Sequence, residues 1–389
     1  MFQYYYELLL KYFLFIKRVI MHYDAVVVGA GLSGSIVAER LASKGKKVLI
    51  IEKRDHIAGN IYDRYNNDGI LIHEYGPHLF HTNSKMVFEY LSKFTKWIKY
   101  EHKVLAYVDG KYVPIPINRT TINLIYGLNL STDEEAAKYL DGVKGTYGKI
   151  TNAKEAVVSK VGYDLYKKLF EGYTKKQWGM DPEELSPEIT QRIPVRVNTD
   201  DRYFTDIYQM MPLEGYTKMV ERILSNDNIE IRLNSDYKDI INEIDYDILV
   251  YTGQIDYFFD YKYGRLRYRS LRFEFLTYEQ EIVQPVAVIN YPDEKIPYTR
   301  CMEFKHATGQ KCKKTTIERE YPQSEGGPYY PMLTEQDKDL YLKYEKESKL
   351  IKNTFFVGRL AEFKYYNMDQ AAASALKISG SILKLLDKE

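Results

Sequence analysis

Cysteine is nearly absent: Cys301 and Cys312 are the only two in 389 residues, with neither CxxC nor zinc-type spacing. This excludes a disulfide scaffold and a cysteine-ligated metal site, and it fits a reducing, cytoplasmic setting. An excess of one charge is also missing. The 55 Lys and Arg against 54 Asp and Glu leave a formal net charge of +1. A general nucleic-acid binder needs a basic face, so nucleic acid is not an expected partner. Tryptophan is scarce, with two copies, but tyrosine is not, with 38. Tyrosine joins a stacking face to a hydroxyl donor, which suits a polar ligand pocket and ordinary packing alike.

The chain is too long for one ordinary domain, and its 45% hydrophobic content is enough for substantial cores. The opening, "MFQYYYELLLKYFLFIKRVI", stands apart. Its apolar run Tyr12 to Ile16 falls far short of the roughly 20 residues that span a bilayer, so no membrane partner is expected. It has neither a basic leader nor a small-residue cleavage site. Met21 then opens "MHYDAVVVGAG" like a natural start. Residues 1–20 are accordingly read as an upstream extension, with an amphipathic surface helix as the alternative.

The stretch "DAVVVGAGLSGSIVAERLASKGKKVLIIEKR" places a glycine fingerprint in its proper context. An apolar strand, Ala25 to Val28, enters Gly29-Ala30-Gly31-Leu32-Ser33-Gly34. A helical period follows to about Ser43, and a second strand, Val48 to Ile51, ends at Glu52 and Lys53. Gly29 permits a tight turn, Gly31 lets a diphosphate approach the backbone, and Gly34 lets helix and strand pack closely. The diphosphate would lie on the helix N-terminus, with Glu52 placed for a ribose. NAD and FAD share this pattern. Two distant stretches favour FAD: "YDILVYTGQID" as a buried strand ending at Thr252-Gly253, and "NTFFVGRLAEFKYYNMDQ" as a strand ending at Gly358 before a helix near Asp369. Together they imply a discontinuous nucleotide domain. The helix N-terminus at Met368 and Asp369 would offer N–H groups to a flavin carbonyl.

The middle of the chain changes period twice. Residues from Thr120 to Gly179 read as several helices, with Ser131-Thr132-Asp133 as a cap and Val157, Val158, Val161, Leu165 and Leu169 as an apolar face. "KVLAYVDGKYVPIPI" and "LRYRSLRFEFLTYEQ" alternate as strands, the first with an Asp109-Gly110 hairpin turn. "LSPEITQRIPVRVNTDDRYF" reads as a long connection. His73, His78 and His81 lack an acidic partner and are not read as metal ligands. Cys301 reads as a small packed residue. In "GYTKKQWG", Trp178 is either core packing or the wall of a ligand site, and Lys175 and Lys176 read as solvated.

In order, "VVGAGLSGS", "YGPHLFHT", "FEGYTKKQW", "QRIPVR", "DRYFTD", "YTRCMEF" and "GRLAEFKYYNMDQ" resemble the UDP-galactopyranose mutase family, from about Met21 to the C-terminus. The resemblance implies an α/β fold of three domains. Residues 21–85, 213–260 and 351–389 would form a discontinuous Rossmann-like FAD-binding domain. Residues 118–190 would form an inserted helical domain. Residues 86–117, 191–212 and 261–350 would form a twisted antiparallel sheet.

The implied activity is interconversion of UDP-galactopyranose and UDP-galactofuranose, by covalent catalysis through N5 of reduced FAD. Arg192 and Arg300 resemble the family's two diphosphate-facing arginines. Tyr203, Tyr330 and Tyr365 resemble its phosphate-binding tyrosines. Phe170, Tyr173, Thr174 and Trp178 would hold the nucleotide end, with Tyr173 stacking on uracil and Trp178 enclosing the pocket. Leu32, Ser33, Asn60, His81 and Arg359 join the fingerprint glycines, Glu52, Lys53, Gly358, Met368 and Asp369 as the implied cofactor residues. A homodimer and reduction by NAD(P)H are also implied. Two positions depart from the family: Asn367 replaces a frequent acidic residue, and Leu169 replaces an aromatic. The alternatives are a mutase acting on UDP-N-acetylgalactosamine and an FAD-dependent oxidoreductase of the amine oxidase type.

Overall fold

The computed structural model describes residues 22–191 and 194–387. Both the extension 1–20 and Arg192 lie outside the described residues.

The glycine fingerprint sits in a five-stranded, wholly parallel sheet. Its order is Ile229–Arg232, Val48–Ile51, His22–Val28, Asp245–Tyr251 and Thr354–Phe356. Numbered along the chain this is 3-2-1-4-5, so the strand order reverses beside the His22–Val28 strand. Ligands bind at such a reversal, beyond the C-terminal strand ends. Side-chain alternation splits the sheet between two cores. Ala25 and Val27 face the helices Leu32–Ala42 and Met368–Leu386, which pack on each other. Val26 and Val28 face an aromatic layer with Tyr237, Tyr251 and Phe258.

A seven-stranded sheet forms the second layer, in the order Tyr330–Pro331, Tyr268–Tyr278, Thr315–Gln323, Arg300–Glu303, Val288–Asn290, Val104–Val108 and Lys111–Ile115. It is antiparallel except between Val104–Val108 and Val288–Asn290, which run parallel. Those two strands are separated by the whole helical insertion, so no hairpin dictates their direction. The expected hairpin is present: Asp109 and Gly110 both have positive φ, at 50° and 75°, as a type I′ turn requires.

The insertion contains helices Arg119–Tyr126, Asp133–Val143, Ala153–Tyr166 and Gly172–Trp178. Thr132 caps the second through a reciprocal bond pair with Glu135. The third is broken at Gly162, with φ of 82°, where an added Cβ would lie 2.5 Å from the Val143 carbonyl. A π turn, Lys167–Glu171, leads into the helix of "GYTKKQWG". No described helix is long and apolar enough to cross a membrane.

Candidate active site

Two contiguous cavities lie at the C-terminal end of the parallel sheet. The first, about 410 Å³, is lined by the fingerprint residues Gly29, Gly31, Leu32, Ser33 and Gly34, then by Glu52, Lys53, Asn60, Gly358, Arg359 and Met368. Side chains are excluded from its floor. A Cβ on Gly34 would lie 2.0 Å from the Gly29 carbonyl oxygen, and one on Gly29 would lie 2.2 Å from Thr252 Oγ1. The buried Glu52 carboxylate accepts from the N–H groups of Ala30 (2.8 Å) and Arg54 (2.9 Å), which fixes the turn on both sides. Arg54 reaches Asn60 Oδ1 at 2.8 Å and lies 4.3 Å from the Tyr75 ring centroid. Its buried Nη1 has no partner among the described residues. A glycine-floored cradle with an unpartnered guanidinium nitrogen fits the diphosphate of a dinucleotide.

The far end of this cavity is lined by Asp236, Tyr237, Tyr257 and Tyr261, which sequence reading did not single out. They come from the aromatic layer beneath the sheet, where Tyr and Phe are too common to mark a site by composition. Asp236 and Tyr237 follow the 229–232 strand and Tyr257 and Tyr261 the 245–251 strand, so only position after two neighbouring strands gives a signal.

The second cavity, about 610 Å³, meets the first at Asn60, His78, Arg359, Asn367 and Met368. Tyr173, Tyr203, Arg300, Tyr330 and Tyr365 all line it, although they come from five separate stretches of chain. Arg300 is held from behind by its cross-strand partner Glu320, whose Oε2 accepts from Nε at 3.0 Å and from Nη2 at 2.6 Å. Burial works against the charge on Arg300, but Glu320, Tyr173 and Tyr330 around it keep the guanidinium firmly protonated. Glu318, two residues away on the same strand face, is fully buried, and burial pushes its carboxyl far above the usual range.

Tyr330 and Tyr365 stack at 5.3 Å between centroids, with Arg359 about equally over both, at 5.7 and 5.6 Å. Trp178 does not line either cavity. It is buried with Ala153 and Leu185 and packs behind those two tyrosines, at 6.5 and 6.2 Å. Phe170 and Thr174 are likewise buried without lining either of these two cavities, and Leu169 belongs to the same apolar core as Phe170.

His81 and Asp369, expected beside the cofactor, line the second cavity instead. His81 stacks on Phe204 at 3.6 Å, and its Nδ1 lies 2.9 Å from Asp206 Oδ2, leaving Nε2 free for the cavity. Asp369 accepts from Thr82 Oγ1 at 2.9 Å. Asn367 is the N-cap of the last helix, and its N–H donates to Gln370 Oε1 at 2.9 Å. Burial lowers His78 and His102, both in this cavity, to about 3, so they are neutral. Cys301 is buried, and burial pushes its thiol up to about 12, consistent with a packing residue. Lys176 corrects the expectation of a solvated side chain: its ammonium is folded into backbone carbonyls.

The UDP-galactopyranose mutase family model matches residues 168–365, and a model of an NAD(P)-binding Rossmann-like domain matches residues 27–94. A Klebsiella pneumoniae protein named "Probable UDP-galactopyranose mutase" is 39% identical over 92% of this chain and 94% of its own. The dTDP-fucopyranose mutase of Escherichia coli is 37% identical over 92% of this chain and 98% of its own. The UDP-galactopyranose mutase of Mycoplasma genitalium is 32% identical over 93% and 95%. Among solved structures, a reduced UDP-galactopyranose mutase shares the fold with a TM-score of 0.76 at 16% identity, covering 93% of this chain and 96% of that one. A putrescine oxidase variant shares it more loosely, with a TM-score of 0.58 at 11% identity over 94% and 99%. The chain belongs to the UDP-galactopyranose mutase family, a family of flavin-dependent isomerases.

Proposed function

We propose that the protein interconverts UDP-galactopyranose and UDP-galactofuranose, with FAD in the first cavity and the nucleotide sugar in the second. The observation that carries this reading is the arginine and tyrosine lining of the second cavity, directly continuous with the dinucleotide cradle. When bound and reduced, FAD supplies the nucleophile that makes exchange at C1 of the sugar feasible. The protein's own part is position and charge. Arg300, fixed by Glu320, faces the diphosphate and stabilises the extra negative charge of departing UDP. Tyr203, Tyr330 and Tyr365 donate hydroxyls to the phosphates, and Tyr173 offers its ring to the base. Trp178 acts through the tyrosines it supports. Arg192 is assigned to the same diphosphate on the family resemblance alone.

His81, oriented by Asp206, presents Nε2 where sugar hydroxyls must lose and regain protons as the ring opens and closes. The reductant is read as NAD(P)H and the assembly as a homodimer, on the resemblance alone. Anaerobic NADPH titration and sedimentation check each.

The Escherichia coli relative supports a second reading, in which the substrate is a dTDP-linked 6-deoxy sugar. The test is anaerobic incubation of dithionite-reduced protein with UDP-galactofuranose, UDP-N-acetylgalactosamine and dTDP-fucopyranose in parallel. Conversion of UDP-galactofuranose to the pyranose without net flavin oxidation is the expected result. Preference for either other sugar reassigns the substrate. Turnover only with net flavin oxidation supports an oxidoreductase instead.

A further inference from the structure

The Lys176 ammonium sits among four backbone carbonyl oxygens, those of Tyr291, Asp293, Ile296 and Tyr298, at 2.6, 2.9, 2.8 and 3.0 Å. An ammonium has three hydrogens to donate. Four oxygens converging on one point therefore form a cage for a small monovalent cation, and the lysine nitrogen stands in for that ion. Lys175 shows the ordinary alternative, a surface pair with Asp181 at 3.1 Å.

All four carbonyls belong to one loop, which joins the strands Val288–Asn290 and Arg300–Glu303. The stem residues Asn290 and Arg300 are cross-strand partners, and both line the larger cavity. Tyr173, one helical turn before Lys176, lines the same cavity. The helix is fitted to the loop at its start as well: a Cβ on Gly172 would lie 2.3 Å from the Pro292 carbonyl oxygen. At its end, Arg269 donates from Nε to the Gln177 carbonyl at 2.9 Å, and Gly179 leaves room for that guanidinium. One short helix is thus tied to the hairpin at one end and to the sheet at the other.

We infer that Lys176 is a positioning residue: its ammonium serves as a tethered cation that closes the 291–298 loop and sets Tyr173 against Arg300 across the substrate cavity. Without a cation the inward-pointing carbonyls repel one another and the loop must open to water. The hairpin stem that carries Arg300 then loses its fixed distance from the helix that carries Tyr173.

The inference rests on the mutase reading only for its ligand measurement, so the test has two arms. Flavin-loaded wild type, Lys176→Ala and Lys176→Met are compared by amide hydrogen exchange over residues 291–298 and by UDP titration. Each is run in ammonium chloride and in tetramethylammonium chloride at matched ionic strength. In tetramethylammonium, Lys176→Ala is expected to lose protection in the loop and to bind UDP about tenfold more weakly, about 1.4 kcal/mol, with flavin content unchanged. Ammonium, small enough to enter the emptied cage, restores both. Lys176→Met fills the cage with an apolar chain, so it shows the same defects and no rescue. Unchanged loop protection in Lys176→Ala overturns the inference. So does a defect that ammonium does not reverse, or one accompanied by flavin loss. Failure of the wild type to bind UDP counts against the mutase reading instead, and the exchange arm still decides the role of Lys176.

Discussion

Arg300→Ala removes two things at once, and their sizes can be separated. The first is structural. Glu320 is 1% exposed at its side chain, uses a single oxygen for both contacts to Arg300, and leaves its other oxygen unpartnered. Removing one member of such a buried pair costs about 3–5 kcal/mol, because the remaining charge is uncompensated. The second is catalytic. Loss of a donor aimed at developing negative charge lowers turnover by about 10²–10³-fold, roughly 3–4 kcal/mol. The double variant Arg300→Ala/Glu320→Gln distinguishes them, since a neutral amide has no charge to strand. Urea unfolding followed by circular dichroism should show most of the lost stability returning in the double variant. Anaerobic conversion of UDP-galactofuranose by reduced protein should stay at the single variant's level. The assignment fails if Arg300→Ala keeps turnover within about tenfold of wild type, or if the second substitution restores it.

Gly34→Ala should abolish stable flavin binding and lower stability by about 1–3 kcal/mol, because its Cβ meets backbone rather than a flexible side chain; a yellow, fully loaded variant contradicts this. Trp178→Ala should raise KM for the nucleotide sugar at least as much as it lowers kcat, because Tyr330 and Tyr365 lose their backing. An unchanged KM would show that the tyrosines are held from elsewhere. Acid should destabilise the fold through His73, His78 and His102, which burial lowers from about 6.5 to about 4, 3 and 3. The unfolded chain binds more protons below about pH 6.5, so this contribution is present above that pH and lost as pH falls towards 4. Each histidine adds a slope of up to about 1.4 kcal/mol per pH unit, opposed by the groups held above their ordinary values: Glu318, Asp63 and Asp256 by burial, His22 and His306 by hydrogen bonds to carboxylates. A urea-midpoint slope between pH 6.5 and 5 that is unchanged when His78 and His102 are replaced by Phe contradicts the sign.

Local signals made much of this legible. The glycine fingerprint, the Asp109-Gly110 turn and the Thr132 cap each depend on a few neighbouring residues, and each stands where the sequence places it. The ordered motifs identified the family because they span almost the whole chain. Contacts assembled by the tertiary fold were not legible. Glu318 and Glu320 sit at buried positions of a strand where sequence alternation shows only two acids two residues apart. Asp206 meets His81 across 125 positions. Lys176 looks like any helix-surface lysine until a hairpin from residues 291–298 closes over it. Trp178 shows the limit from the other side: its neighbourhood was legible, but packing places it one layer behind the tyrosines that line the cavity.

The parallel sheet also bears on how the chain acquires its cofactor. His22 pairs with Asp245, 223 positions later, and the edge strand and covering helix come only from residues 354–386. The fingerprint is therefore made before the later segments that complete its cradle. Both other layers are enclosed within this long closure, whose entropic cost must be met before the non-local strand pairs form. A chain cut short before Met368 should keep its edge strand but expose the apolar surface that helix Met368–Leu386 covers, on helix Leu32–Ala42.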